Sequence, residues 1–564
     1  MKYRVGQTWE KDDGSFFKIA RFVQGGDTAL AQGTLFQRTR LFQGRLQKKR
    51  NEVCMVVMLD SEGKEVRSSI PLSSLYLPRE LIITNTPFPG FSWRGQACLW
   101  QDEKDILERG VLVCRWKSIE QLDAAGKKVM RQGFVHITEK EADPGKSASD
   151  VRRLQDWCNR FASSTPDVRS DQPGKLDEAP VDLVSDDEGV EKGSEAVSTA
   201  SVCQKTYKRQ TVSVIQNRFI AKPRDLEVSG MFCTAPPHPQ QDRSPLTVYT
   251  CGDICSGAGG MASGGVAAGL RYKFMLDNWD IPCRTLKLNF DSRIKVLRKD
   301  VFGFIDMAKR YPGRYIVTVL HLSLPCQYYA LCHTVPGKND ETNIATNLCI
   351  SETLDCCRPR IVTLEQTPGI LYRDGGVWLN VMIRQFTDCA YSVHWRVLNM
   401  AEYGNPQARK RLIVIAAAPG EDLPGFPSPT HGVGPLLRPF VTISAALRKL
   451  ILPMYRGMER YTDKNAAPYN PNTPLKSCIT CSGGDSDLHY NGKRSFSLAE
   501  LALLQSFPPT HRFEGSKTDI RKQIGNAVPS CFSRTLYKSL IESLKRSDKK
   551  RQGLSVEDKI PLIE

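Results

Sequence analysis

Apolar positions follow two rhythms along the chain. Over residues 1–147, short runs such as VCMVVML, LIIT and GVLVCRW follow one another closely, punctuated by Gly and Pro. That spacing predicts a small, mainly β unit. Residues 148–245 are polar, rich in Ser, Asp, Glu and Pro, and predict a partly disordered linker. From residue 246, apolar runs (VYTCGDICSG, KFMLDNWD, YIVTVLHLS, RIVTLEQ, YSVHWRVLN, RLIVIAAA) alternate with helix-length stretches, of which KNDETNIATNLCISETLDCCRP is the clearest. The alternation predicts an α/β fold with a mostly parallel sheet. After 419 a Pro/Gly-rich segment runs to 493. The helix pattern SLAELALLQSF then leads into RKQIGNAVPSCFSRTLYKSLIESLKR, which carries the fold to 545 and leaves a basic tail over 546–564.

The 564 residues carry a formal charge of +17, which fits a polyanionic partner or a solvated basic surface. An acidic run in the linker, Asp177 to Glu195, makes the remainder more basic than the average, so nucleic acid is the first partner class expected. No stretch resembles a membrane span, and the polar start MKYRVGQTWEKDDGS lacks the apolar core of a secretory leader. The 18 cysteines therefore read as free thiols of a reducing compartment, most of them packed as small apolar groups. Their CxxC pair, Cys478-Ile-Thr-Cys481, has no second pair at zinc spacing, and no metal site is expected.

A glycine-rich turn, DICSGAGGMASGG (Asp253 to Gly265), leaves an apolar run and enters a helix-length stretch. Such a turn lets backbone approach a ligand and offers free helix N–H groups, although a plain tight turn looks the same. It lacks the Walker lysine and the dinucleotide fingerprint. The next two runs end in acids, Asp277 with Trp279 beside it and then Asp300. In a parallel sheet these ends line the ligand crevice. One carboxylate suits a ribose diol, the indole an adenine face, and the second acid an exocyclic amine. The combination implies an adenosine-containing ligand that needs no phosphate site, and S-adenosyl-L-methionine fits.

The run VTVLHLS ends in Leu324-Pro325-Cys326-Gln327, and RIVTL delivers Glu365 at its own carboxyl end. Gln407, Arg409 and Arg411 stand immediately before the run RLIVIAAA. A thiolate, a carboxyl group and basic donors beside a methyl donor form a chemical set suited to cytosine. Carbon 5 of that ring is a poor nucleophile until a thiolate adds at carbon 6. A carboxylic acid at ring nitrogen 3 eases the addition, and arginine can hold the groups and lower the thiol pKa.

DICSGAGG, LPCQ, LEQT, PQARKR and RKQIGNAVP, with FPSPTHG and RSFSLAELALLQSFP between the last two, resemble in this order the motifs of C5-cytosine DNA methyltransferases. The resemblance covers residues 246–545 and implies a Rossmann-like catalytic domain in two parts, 246–419 and 494–545, around a target-recognition region over 420–493. It implies that Cys326 is the nucleophile, Glu365 the cytosine-binding acid, and Arg409 and Arg411 supports for the pyrimidine and its loop. S-adenosylmethionine would be held by Asp253, Ile254, Cys255, Ser256, Gly257, Gly259 and Gly260, with Asp277, Trp279, Asp300, Val301, Asn526 and Val528. A duplex substrate would have its cytosine flipped out, at a cost of a few kcal/mol.

Departures from the family pattern narrow the resemblance. Glu365-Gln366-Thr367 stands where Glu-Asn-Val is usual, and Cys255-Ser256 where Phe-Ser is usual. Both are similar to the fungal RID-like subgroup linked to repeat-induced point mutation and premeiotic methylation. Leu324 replaces the first proline of Pro-Pro-Cys, and Tyr328-Tyr329 alter the catalytic loop. These changes keep the nucleophile but bear on turnover. The resemblance thus implies a nuclear enzyme methylating cytosine in silenced or repeated DNA, with a catalytically weak, DNA-binding chromatin protein of silencing or sexual development, and a tRNA methyltransferase, as rivals.

The basic stretch RTRLFQGRLQKKRNEVCMVV resembles part of a bromo-adjacent homology (BAH) domain, which implies chromatin partners; a generic β-barrel is the alternative. Lys48, Lys49 and Arg50 could touch phosphate or form a solvated face. Val181–Glu188 has the pattern of a SUMO-type sheet-edge ligand, and equally that of an acidic spacer. LKRSDKKRQG (Leu544 to Gly553) reads as a nuclear-localisation patch or a solvated helix end.

Overall fold

The computed structural model describes residues 3–25, 28–49, 51–86, 107–108, 110–123, 128–144, 248–330, 335, 337, 339–450, 468–481 and 488–552. All of them fall in the unit formed by Met1–Gln155 and Cys233–Glu564. Arg50, the SUMO-type segment and the tail beyond 552 lie outside the described residues.

The β-branched and aromatic runs of the front region form β1 (Thr8–Lys11), β2 (Phe16–Gly25), β3 (Thr28–Arg38), β4 (Glu52–Leu59), β5 (Glu65–Val66), β6 (Ser68–Pro71), β7 (Leu75–Arg79), β8 (Leu81–Ile83), β9 (Leu112–Leu122) and β10 (Lys128–His136). Successive strand residues point to opposite faces. Phe16 thus joins a core with Phe36, Val53, Leu112 and Cys114, while Phe17 joins Trp9, Ile19, Ala31 and Leu75.

The later runs form β11 (Thr250–Ile254), β12 (Arg271–Asp277), β13 (Lys295–Arg298), β14 (Val319–Leu322), β15 (Ile361–Gln366), β16 (Ser392–Asn399) and β17 (Lys410–Ala417). Their pairings give the order β13-β12-β11-β14-β15-β17-β16, with β17 antiparallel to both neighbours. Strand order reverses between β11 and β14, and ligands bind beyond the carboxyl ends of strands at such a switch point.

Helices α1 (Gly260–Ala268), α2 (Asp280–Asn289), α3 (Val301–Arg310), α4 (Asp340–Asn347), α5 (Ile350–Cys357) and α6 (Val377–Asp388) connect the strands. They are followed by α7 (Ile443–Leu447), α8 (Leu498–Leu504), α9 (Lys517–Asn526) and α10 (Ser530–Arg551). Met261 and Ala262 of α1 and Phe532, Leu536 and Leu540 of α10 bury against Val319, Ile361 and Ile413 of the sheet. The helix expected over KNDETNIATNLCISETLDCCRP is split into α4 and α5. Gln385 of α6 causes the break, donating to the Asn347 carbonyl at 2.9 Å and accepting from the Ile350 N–H at 2.9 Å. No described helix is long and apolar enough to cross a membrane.

The front unit and the catalytic sheet share strands. β10 pairs antiparallel with β16, Gly133 opposite His394 and Phe134 opposite Val393. The Phe134 ring lies 5.6 Å from Phe42 and 6.3 Å from Trp395, so it belongs to both sides of the junction. A Cβ on Gly133 would come within 2.6 Å of the Val393 carbonyl and of His394 Cβ. Gly133→Ala is expected to destabilise the protein by about 1–3 kcal/mol through overpacking, read as a lowered midpoint in chemical denaturation.

Candidate active site

Three neighbouring strands deliver the loop, the thiol and the acid to one edge. β11 pairs with β14, Ile254 opposite Leu322, and the Ser323 N–H donates to the Ile254 carbonyl at 3.0 Å. The glycine loop and Cys326 therefore leave adjacent strand ends. β14 pairs with β15, Leu322 opposite Leu364, which sets Glu365 one residue further along the same edge.

Within the loop, Cys255 (φ +58°), Gly257 (+52°) and Gly259 (+81°) take left-handed backbone conformations, which only glycine adopts without cost. Buried Ser256 stitches the turn to β12, its N–H donating to the Leu276 carbonyl at 2.9 Å and its Oγ accepting from the Leu276 N–H at 3.2 Å. Asp277 at the end of β12 accepts from the Gly257 N–H and from the Trp279 N–H, both at 2.9 Å. One of its duties is thus to brace the loop. Gly260 opens α1 against the segment after α9, where a Cβ would meet the Val528 carbonyl at 2.3 Å.

Asp253 is the loop's unusual residue. Its side chain is fully buried, and neither carboxylate oxygen has a hydrogen-bond partner among the described residues. Burial, and then the charge of Asp277, push its pKa well above the usual carboxylate range. An ionised Asp253 needs a cation or donors that the described residues do not supply. The sulfonium and ammonium of S-adenosylmethionine have that character, so these residues fit the ligand expected from the sequence.

The remaining cofactor candidates are distributed as follows. Ile254 is buried in β11 and supports the loop from below. Trp279 is half-buried and Asp300 exposed, the latter capping α3 by accepting from the Gly303 N–H at 2.7 Å. Val301 is buried in the first turn of α3, Val528 is buried beside Gly260, and exposed Asn526 accepts from Cys481 Sγ at 2.7 Å.

Cys326 is half-buried, at the start of a short turn over Gln327–Tyr329. Glu365 is only 6% exposed and pairs with Arg411, Nε to Oε1 at 2.8 Å. Burial and then the Glu365 charge push the Cys326 thiol up to about 11. Arg411 and Arg409 act the other way, as expected from the sequence, but they are outweighed. Arg409, 1% exposed, donates to the Gly525 carbonyl at 3.1 Å, the Ile479 carbonyl at 3.3 Å and Cys478 Sγ at 3.1 Å. Arg411 faces the acid, whereas Arg409 ties β17 to the segments around 479 and 525.

Gln366, Gln407 and Tyr328, singled out in the sequence, hold this arrangement with Asn347, Asp374, Trp378 and Arg373, which no sequence motif marks. Gln366 and Asn347 both donate to the Pro325 carbonyl, at 3.4 and 3.0 Å, and so fix the residue before the thiol. Buried Gln407 accepts from the Ile479 N–H at 3.0 Å and donates to Gln505 at 2.6 Å. Tyr328 donates to Asp374 at 2.8 Å, Trp378 donates to the same oxygen at 2.7 Å, and Arg373 lies over the Tyr328 ring at 4.7 Å. The altered residues after Cys326 thus belong to an aromatic cluster that packs the loop onto α6.

A sheet of this order, with the glycine loop at its switch point and a half-buried thiol and a buried acid on the same edge, defines an S-adenosylmethionine-dependent methyltransferase of the α/β class. Residues 249–436 and 441–542 match the C-5 cytosine-specific DNA methylase family, and the chain belongs to that family. S-adenosylmethionine is accordingly its methyl donor. The chain is 26% identical over 327 residues to the type II methyltransferase M1.HphI of Haemophilus parahaemolyticus, covering 51% of this chain and 86% of that one. It is also 26% identical over 321 residues to M.NgoMIV of Neisseria gonorrhoeae, covering 53% and 99%. Among solved structures, the S. pombe Dnmt2 methyltransferase aligns with a TM-score of 0.39 at 13% identity, covering 53% of this chain and 99% of that one.

Proposed function

We propose that this chain methylates carbon 5 of cytosine in DNA through a transient covalent bond to Cys326. The observation that carries the reading is the buried Glu365–Arg411 pair beside Cys326, on the strand edge that also carries the unpartnered Asp253. S-adenosylmethionine, when bound, supplies an electrophilic methyl group. Cys326 gives up its proton to the Glu365 carboxylate and adds at carbon 6, which makes carbon 5 nucleophilic. Glu365 passes that proton on to ring nitrogen 3, which offsets the charge gained by the ring. Arg411 fixes Glu365, and loss of the carbon 5 proton to water then lets Cys326 leave.

The Glu365-Gln366-Thr367 and Cys255-Ser256 departures support a place in the RID-like fungal subgroup, and with it silencing of repeated DNA in the nucleus. The β-rich front unit, joined to the catalytic sheet, supports a BAH-like role toward chromatin proteins. A second reading, a catalytically weak DNA-binding protein, is favoured by the Cys326 thiol near 11 and by the packing of Tyr328 against Asp374. Methyl transfer from tritiated S-adenosylmethionine separates them. The expected product is 5-methyl-deoxycytidine after nucleoside digestion of duplex DNA. DNA binding without label supports the second reading, and label confined to tRNA overturns both.

A further inference from the structure

Two guanidinium groups and one carboxylate leave the buried pocket with an excess positive charge. Arg411 shares its charge with Glu365 at 2.8 Å, but among the described residues Arg409 has only carbonyls and one sulfur as hydrogen-bond partners, and its Nε has none. An uncompensated buried charge is costly, so the pocket favours one more anion. Two thiols are placed to become it. Cys478 Sγ lies 3.1 Å from Arg409 Nη1 and 3.8 Å from Arg411 Nη2, so one sulfur faces both guanidinium groups. Cys326 feels the charge of the same two arginines.

We propose that Cys478 serves as a second anion of the active site, competing with Cys326 for the charge of Arg409 and Arg411 and so positioning both arginines. The proposal deepens the reading of Cys326 as nucleophile and rests on it. The two thiols are displaced in opposite directions: Arg409 and Arg411 bring Cys478 below its ordinary range against the effect of burial, whereas Cys326 is held above. Burial and the Glu365 charge act on Cys326 ahead of the two arginines, and burial acts on Cys478 against them. The Ile479 carbonyl, 3.4 Å from Cys478 Sγ, favours its protonated form. Cys481 turns to Asn526, where Lys522 acts on it, and its own charge acts on Cys326 together with that of Glu365. An anion on Cys478 neutralises the charge that would otherwise ease ionisation of Cys326. Cys478 is therefore a positioning residue that restrains the nucleophile until the pocket is rearranged.

The test is alkylation of the full chain by iodoacetamide across pH 6–11, without DNA or S-adenosylmethionine, scored at each cysteine by peptide mass spectrometry. In the wild type Cys478 should reach half-maximal reactivity at lower pH than Cys326. Cys478→Ser should move the Cys326 curve down by about one pH unit, roughly a tenfold faster reaction near pH 8. An unmoved Cys326 curve in a folded variant overturns the proposal. So does Cys326 titrating below Cys478 in the wild type, a comparison that needs no variant. If the order and the shift hold while Cys326 forms no adduct with DNA, the charge competition stands and the nucleophile assignment falls.

Discussion

Cys326→Ser should lower methyl transfer by about 10⁴-fold or more, the scale on which loss of an enzyme nucleophile registers. Serine keeps the shape of the turn, but its hydroxyl stays protonated where even the thiol is pushed up to about 11. The loss should fall on kcat rather than on binding, because the Asp253 to Gly260 loop and the Asp277 brace do not involve Cys326. Steady-state kinetics together with calorimetric titration of S-adenosylmethionine check both halves. Weak residual activity with intact cofactor affinity is the expected pattern.

Arg411→Ala should damage the protein in two ways. Removing one partner of a buried ion pair costs about 3–5 kcal/mol, because the other charge remains buried. Glu365, 6% exposed, is left with no cation at 2.8 Å, and Arg409 is committed to the 479 and 525 carbonyls. A buried carboxylate without its partner has a raised pKa. The folded variant then binds a proton more tightly than the unfolded chain does, so its stability is greatest below the unfolded carboxylate value and is lost as pH rises through the folded one. The deficit against wild type should be smaller at pH 5 than at pH 8 in denaturant titrations. Glu365→Gln, which keeps the shape and removes the acid, should cost about 10²–10⁴-fold in rate.

Much of this site could be read from the chain because the chemistry lies at strand ends. VTVLHLS and RIVTL are apolar enough to be buried parallel strands, and a residue just past such a run lands on the carboxyl edge whatever the rest of the fold does. That is why Cys326 and Glu365 could be placed together, and why the glycine loop could be placed beside them. Long-range side-chain contacts were not readable. Cys478 reaches Arg409 across 69 residues, and no periodicity marks it. The split between α4 and α5 depends on Gln385, which approaches from a different helix. The strand shared by the front unit and the catalytic sheet pairs residues about 260 positions apart, with a close approach at Gly133 that looks in the sequence like any other glycine. Asp277 was readable as a strand-end acid, but its bracing of Gly257 and Trp279 depends on the loop's left-handed turns.

The central claim is that one sulfur atom bonds to the cytosine ring. Duplex DNA carrying 5-fluoro-2′-deoxycytidine, incubated with the full chain and S-adenosylmethionine, blocks the final proton loss and should trap that bond. After digestion, mass spectrometry should find a methylated fluoropyrimidine nucleotide on the peptide containing Cys326. Methylated DNA with no trapped protein, or a nucleotide carried by Cys478 or Cys481 instead, would contradict the account.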